Sequence, residues 1–159
     1  MRYIFLLFLA PGLYAHPHFF INSNLKIEKN RVLSQWRFDK LNSKLLLFEF
    51  DTDKNKILDK KEQERFLQTH FYPLKTNNYN LFLQSDEEEL SIQPKNTKVS
   101  YQNKEIILEF ESSLDFKIQA VFCTIDATLY MAYTLEKFES IYEADIQKSQ
   151  YDFCIGVTK

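Results

Sequence analysis

Glycine, cysteine and unbalanced charge are all scarce in this chain. Its 159 residues include 2 glycines and 2 cysteines, and the formal net charge is −2. With near-neutral charge and lysines scattered among acids, nothing in the sequence indicates the basic face that nucleic-acid binding requires. The spacing of the two cysteines is not that of a structural zinc site, which usually has four close ligands. Gly-x-Ser-x-Gly, His-Glu-x-x-His and phosphate-loop motifs are also absent, and we therefore expect a protein that is not an enzyme.

Long hydrophobic runs are missing as well, except near the N-terminus. Arg2 precedes an apolar run from Tyr3 to Ala10, which is too short to span a bilayer. A helix-breaking Pro-Gly pair follows, and Ala15 is a small residue suited to the position before a cleavage site. The pattern predicts a secretory signal peptide over residues 1–15 and a single domain over residues 16–159. An uncleaved anchor or a buried N-terminal strand is the alternative, and no later segment is a candidate membrane span.

The cysteine count is consistent with export. Cys123 and Cys154 are an even pair, and in an oxidising compartment such a pair favours a single disulfide. This bond would tie the C-terminal segment to a central strand. Two buried free thiols are the alternative.

Aromatic and β-branched residues dominate the rest of the chain and predict an α+β fold. A β-hairpin is expected from about His18 to Phe38, followed by helices over Lys40–Phe50 and Asp59–His70. The region from Glu136 to Gln150 is ambiguous. Further strands are expected at Tyr79–Gln84, Glu89–Gln93, Thr97–Gln102, Glu105–Glu111, Phe116–Asp126, Leu129–Leu135 and Tyr151–Val157. Together they predict a mainly antiparallel β-sheet with a helix–loop–helix insertion at about residues 40–70.

The loop between the two predicted helices has the pattern of a single EF-hand-like calcium loop. Oxygen ligands are expected at loop positions 1, 3, 5, 7, 9 and 12, with a backbone carbonyl at position 7 and a bidentate Glu at position 12. Counting from Asp51, these positions are occupied by Asp51, Asp53, Asn55, Ile57, Asp59 and Glu62. We therefore predict that Ca²⁺ binds between Asp51 and Glu62.

One position of the loop departs from the pattern. Position 6 usually holds glycine, because the chain turns there with positive φ, and here it holds Lys56. A non-glycine residue in that conformation costs roughly 1 kcal/mol or more, and further lysines surround the loop. We expect weak binding, with a dissociation constant of about 10⁻⁴–10⁻³ M. A lone loop of this kind favours a structural brace over a sensor, and an acidic surface turn that never binds an ion is the alternative.

A second candidate site lies at the expected mature N-terminus. Cleavage after Ala15 gives His16 a free α-amine, and in an extended chain His16 and His18 project to the same face. Two imidazoles at that spacing can share Ni²⁺, Co²⁺, Zn²⁺ or Cu²⁺. Pro17 has no amide N–H, which excludes the square-planar N-terminal chelate.

The third ligand of such a site is open between two residues. Asp126 and His70 are both candidates. Each candidate ligand also has an alternative interpretation without a metal. Asp126 would be a turn or cap residue, His70 would be a helix-end histidine, and His16 and His18 would belong to a frayed polar terminus.

Four segments together resemble a known family. They are Ala15–Ile21, Trp36–Asp39, Phe50–Glu62 and Asp126–Tyr130, in that order. This order is similar to that of a poorly characterised bacterial periplasmic family, a domain of unknown function often described as the periplasmic component of an ABC-type transport system. Genes of that family commonly lie beside NicO-type nickel/cobalt permeases. The chain departs from the family pattern at Lys56 and at Ala127, where the family often has proline.

The resemblance implies a periplasmic accessory protein of transition-metal transport, partnered by a membrane permease of the NicO or ABC type. His16 and His18 match the family's N-terminal motif, and Asp126 matches its Asp-x-Thr motif. One alternative is a calcium-stabilised interaction module without a transition-metal role. Another is a copper-dependent oxidative enzyme built on the N-terminal histidine; it is the weaker one, because only His70 could supply the second, distant histidine.

Overall fold

The computed structural model describes residues 18–159, so His16 lies outside the described residues. The described chain contains ten strands and two α-helices. The strands are β1 (Phe19–Glu28), β2 (Arg31–Phe38), β3 (Leu81–Ser85), β4 (Glu88–Glu89), β5 (Lys95–Gln102), β6 (Glu105–Ser113), β7 (Gln119–Thr124), β8 (Met131–Ser140), β9 (Glu143–Lys148) and β10 (Phe153–Thr158). The helices are α1 (Lys40–Phe50) and α2 (Lys60–Phe66).

The first sheet has the strand order β5-β6-β2-β1-β8. β1 and β2 form the predicted antiparallel hairpin, with Ile27 opposite Val32 next to the turn. On its other edge β1 pairs with β8 in parallel, from Phe19 opposite Met131 onward. This parallel pair brings the start of the described chain beside residues more than a hundred positions later.

The second sheet has the order β4-β3-β7-β10-β9, and its strand pairs are antiparallel. Cys123 in β7 and Cys154 in β10 stand directly opposite each other and form a disulfide, which confirms the predicted pairing. All six residues of β9, at the edge of this sheet, are exposed to solvent.

The two helices are set by local hydrogen bonds that the sequence encodes. The Asp39 carboxylate caps α1 by accepting from the amides of Leu41 and Asn42. At the start of α2, Asp59 and Glu62 form a capping box in which each side chain accepts from the backbone of the other residue. Beyond α2 the chain continues through a π-helical turn, Leu67–Phe71, and a 3₁₀ segment, Tyr72–Asn80.

The core is largely aromatic and joins the helices to the first sheet. Trp36 is 1% exposed, and its ring packs edge-on against Phe71 and Phe110 and is tilted against Tyr133. The buried Tyr133 hydroxyl accepts a hydrogen bond from Asn80 Nδ2 (3.1 Å), and its burial raises the pKa of the phenol. Satisfying this hydroxyl offsets the cost of burying it.

The predicted α+β class is confirmed, and several elements begin, end or pair differently from the predictions. Of the predicted strand Glu89–Gln93, only Glu89 is paired, in the two-residue strand β4. The predicted strand Phe116–Asp126 begins only at Gln119, because the Asp86 carboxylate accepts the amides of residues 117–119. The ambiguous region after Leu135 forms the end of β8 and all of β9. Within residues 18–159, no helix has both the length and the apolarity needed to cross a membrane.

The disulfide provides a test of the second sheet. It closes a chain segment with a sequence separation of 31, so replacing both cysteines by serine should lower the unfolding free energy by about 2–4 kcal/mol. Chemical denaturation of the two proteins measures the difference. Adding a reductant should lower the denaturation midpoint of the parent protein and leave the double variant unchanged. Equal stability of parent and variant under oxidising conditions would show that the bond does not constrain the chain.

Candidate metal centre

Three carboxylates converge where α1 and α2 approach each other. Asp51 follows directly after α1, Asp53 lies in the loop, and Glu62 lies in the first turn of α2. One carboxylate oxygen from each residue lies within 4.8 Å of the others, and this is the one such group of acids, histidines or cysteines within residues 18–159. Asp51 and Glu62 are 6% and 7% exposed, whereas Asp53 is open to solvent. Like charges at this separation repel one another, and a bound cation would remove that repulsion.

Backbone amides hold the two buried carboxylates in place. The Asp51 carboxylate accepts from the amides of Asn55 (3.1 Å) and Lys56 (2.9 Å). The Glu62 carboxylate accepts from the amides of Thr52 (2.6 Å) and Asp59 (3.0 Å), so it ties the start of the loop to its end. A carboxylate offers about four acceptor positions, and each of these two groups keeps capacity for a cation.

The other predicted ligands have local partners. Asn55 Nδ2 donates to the Asp53 carboxylate (2.7 Å), and Asn55 Oδ1 accepts from the Ile57 amide (2.6 Å). Asp59 lies outside the convergent group, because its carboxylate caps α2 by accepting from the amides of Lys61 and Glu62. The geometry therefore brings Asp51, Asp53 and Glu62 together and assigns Asp59 to the helix start.

The glycine-like position of the loop has the backbone conformation that the sequence pattern requires. Lys56 has φ 64°, and Lys54 has φ 61°. This left-handed conformation costs a side-chain-bearing residue roughly 1–2 kcal/mol. In this conformation the Lys56 amide donates to the Asp51 carboxylate, so the strained backbone helps to position that carboxylate.

Of the N-terminal histidines, the structure describes His18, which lies immediately before β1, beside the segment that leads into β8. The His18 amide donates to the Tyr130 carbonyl (2.9 Å), and the two rings lie 5.0 Å apart between centroids. The His18 carbonyl accepts from Asn42 Nδ2 of α1 (2.9 Å). His18 thus lies against the predicted Asp126–Tyr130 segment, while His16 lies outside the described residues.

Asp126 is buried and organises its own turn. Its carboxylate accepts from the Thr128 amide (2.9 Å), the Thr128 hydroxyl (2.6 Å) and the Met131 amide (2.9 Å). These bonds agree with the alternative interpretation of Asp126 as a turn residue. They leave less capacity for a metal than either Asp51 or Glu62 has.

His70 lies between the two candidate sites. Its ring contacts Phe50, which precedes the loop, Phe19, which follows His18, and Phe66 of α2. Its Nε2 atom is buried without a hydrogen-bond partner within the described residues. Burial lowers the pKa of the imidazole, and the nearby Glu49 carboxylate partly opposes this shift. The neutral ring is the form that binds metals.

The strain at Lys56 can be tested separately from its charge. Lys56→Ala and Lys56→Gly both remove the charge, and Lys56→Gly also relieves the left-handed backbone. The unfolding free energy of the glycine variant should exceed that of the alanine variant by about 0.5–1 kcal/mol, after allowing for the greater entropy of the unfolded glycine chain. Urea denaturation in a chelator measures the two values. A more stable alanine variant would contradict the left-handed turn.

Comparison with known sequences supplies the family and nothing more specific. Neither the curated proteins nor the solved structures contain a significant match to this chain. A family match extends over residues 1–154 and therefore includes the loop, His16, His18 and Asp126. The chain belongs to the family described as "Protein of unknown function (DUF1007)".

Proposed function

We propose that this protein is an exported, periplasmic metal-binding accessory protein of a transition-metal transport system, and that an EF-hand-like loop binding Ca²⁺ braces it. The observation that carries the calcium part is the convergence of Asp51, Asp53 and Glu62. The transition-metal part is supported by His16, His18 and the family resemblance. The disulfide is consistent with an oxidising compartment.

Calcium is favoured at the loop because every available ligand is an oxygen atom. Hard cations such as Ca²⁺ take six to eight oxygens, whereas nickel, copper and zinc prefer nitrogen and sulfur ligands. The Asn55 side chain and the Ile57 carbonyl would complete the set after local adjustment. Asp59 would act through a water molecule, because its carboxylate holds the α2 cap.

An ion in this loop would fasten α1 to α2 and so to the core. Phe50 and Phe66, one on each helix, already pack with ring centroids 5.3 Å apart. Arg65 of α2 also donates to the carbonyls of Glu49 and Phe50 at the end of α1. A cation shared by Asp51 and Glu62 would add a third link between the same two helices.

The transition-metal role depends on the N-terminal histidines. His18 is exposed, and a delivery site must release its ion to a partner. The partner we propose is a membrane permease of the NicO or ABC type. The ion transferred between this protein and the permease would be Ni²⁺ or Co²⁺, with Zn²⁺ or Cu²⁺ as alternatives. Asp126 and His70 are the candidate remote ligands.

A second candidate function is a calcium-stabilised interaction module without a transition-metal role. The three hydrogen bonds that occupy the Asp126 carboxylate favour it, because they assign this residue to turn formation. The two candidates differ in whether transition metals bind the mature protein.

Calcium binding can be tested at Glu62. Isothermal titration calorimetry of the parent protein should give one Ca²⁺ site with a dissociation constant of about 10⁻⁴–10⁻³ M. Glu62→Gln keeps an oxygen for the capping box but loses the bidentate carboxylate, so its affinity should fall at least tenfold. Glu64→Gln, on the exposed face of α2, should bind like the parent. Equal affinities of Glu62→Gln and the parent would sink the assignment.

The N-terminal site requires a separate titration. Protein that begins at His16 should bind one equivalent of Ni²⁺, Co²⁺, Zn²⁺ or Cu²⁺ in calcium buffer, and a His16→Ala/His18→Ala variant should lose that binding. The order of affinities then ranks the metals. Single Asp126→Asn and His70→Phe variants identify the remote ligand. If none of the four metals binds more tightly to the parent than to the double variant, the interaction module is the better description.

A further inference from the structure

α1 carries a second apolar face that no described residue covers. Leu41, Leu45 and Phe48 are 69%, 59% and 83% exposed. Their spacing of four and then three residues places them on one side of the helix. Exposed apolar side chains grouped in this way mark an interaction surface more often than scattered ones do. We call Leu41, Leu45 and Phe48 the α1 stripe.

The α1 stripe is a separate face of the helix and not the partly exposed border of its buried face. The buried residues of α1 are Ser43, Leu46 and Phe50. At about 100° per residue, Leu46 and Phe50 point roughly 140–180° away from Leu41. The Ser43 hydroxyl fixes the buried side by donating to the Phe38 carbonyl and accepting from the Ile106 amide. α1 is therefore apolar on two opposite faces, and the sheet occupies one of them.

Lysines lie beside the stripe on α1 and in the loop and helix start that follow it, although the whole chain is slightly acidic. Between residues 40 and 61, six lysines and three acids are exposed. The lysines are Lys40, Lys44, Lys54, Lys56, Lys60 and Lys61, and the acids are Glu49, Asp53 and Asp59. Counting also the buried Asp51 and Glu62 and the exposed Glu64 and Arg65, residues 40–66 hold seven basic and six acidic side chains. The helix–loop–helix unit therefore has a net charge of +1, and most of the exposed charges between residues 40 and 61 are lysines.

We propose that the α1 stripe docks the protein onto a lipid surface with anionic headgroups. Leucine and phenylalanine beside lysines are the composition of helices that lie in a membrane interface, where the long lysine side chains reach the headgroups. Protein–protein contacts instead favour Tyr, Trp, Met and Arg and are depleted in lysine. A two-fold contact between copies of this chain would also bring lysines against lysines. Charge complementarity thus selects the lipid surface.

Calcium should strengthen this docking, and this part alone rests on the proposed function. An ion held by Asp51, Asp53 and Glu62 adds two positive charges to the unit that carries the stripe. Attraction to an anionic leaflet increases with each positive charge near its surface. The exposed Ile57 in the same loop is a further apolar contact for the interface.

Vesicle co-sedimentation tests the proposal. Protein expressed from Met1 and purified as the cell processes it is mixed with phosphatidylcholine vesicles that contain or lack phosphatidylglycerol. Binding should require phosphatidylglycerol and weaken with salt. Phe48→Ser should lower the vesicle affinity by roughly tenfold to a hundredfold. Ile118→Ser is the matched control, because Ile118 is 70% exposed but lies beside the second sheet, and it should bind like the parent.

The proposal is overturned if Phe48→Ser and the parent bind vesicles equally, or if the parent binds equally to vesicles with and without phosphatidylglycerol. It is also overturned if the parent does not bind vesicles but forms a dimer in solution that the Phe48→Ser substitution dissociates. The last result would assign the stripe to a second copy of the chain. Calcium calorimetry on the same preparations, without vesicles, separates the two proposals. If the protein binds vesicles but gives no calcium signal, the calcium-site proposal is rejected and the docking proposal stands. If the protein binds calcium but not vesicles, only the docking proposal is rejected.

Discussion

The parallel pairing of β1 with β8 is the constraint that places the N-terminal candidate site against the rest of the fold. It joins residues more than a hundred positions apart in the chain and places His18 against Tyr130. The same pairing fixes Phe19, whose ring contacts His70, and His70 in turn contacts Phe50 at the start of the acidic loop. A continuous path of ring contacts therefore runs from the N-terminal motif to the loop. These contacts give a disturbance at either end a physical route to the other.

The local parts of this fold were readable from the sequence, and the long-range parts were not. The hairpin and α1 depend on alternation and capping residues within a dozen residues, and each lies where those patterns predict it. The β1–β8 pair is different, because no local pattern specifies a strand's distant partner. Asp126 shows the same limit: its sequence neighbourhood fits a ligand or a turn, and the turn hydrogen bonds become visible only in three dimensions. The partners of His18 also come from distant segments and carry no local signal.

The acidic loop keeps its shape through its own hydrogen bonds. Thr52, Asn55, Lys56 and Asp59 all donate backbone amides to Asp51 or Glu62, so the two carboxylates are positioned by the chain itself. Preorganisation of this kind lowers the conformational cost of binding. The left-handed Lys56 and the surrounding lysines act in the opposite direction, and weak, reversible binding is the expected balance. Glu62 is both a proposed ligand and the capping-box residue of α2, and the capping box explains how a helix of seven residues can begin at a fixed place.

The edge strand β9 affects whether further chains can add to the second sheet. A strand with an open hydrogen-bonding edge is a template on which further chains can assemble into sheets. In β9 the exposed carboxylates of Glu143 and Asp145 lie on that strand, whereas the Lys148 ammonium group donates to the Leu135 carbonyl of β8 (3.1 Å). Another strand that joined there would have to strip water from these charges. The charges of β9 therefore oppose the addition of another strand at this edge of the second sheet.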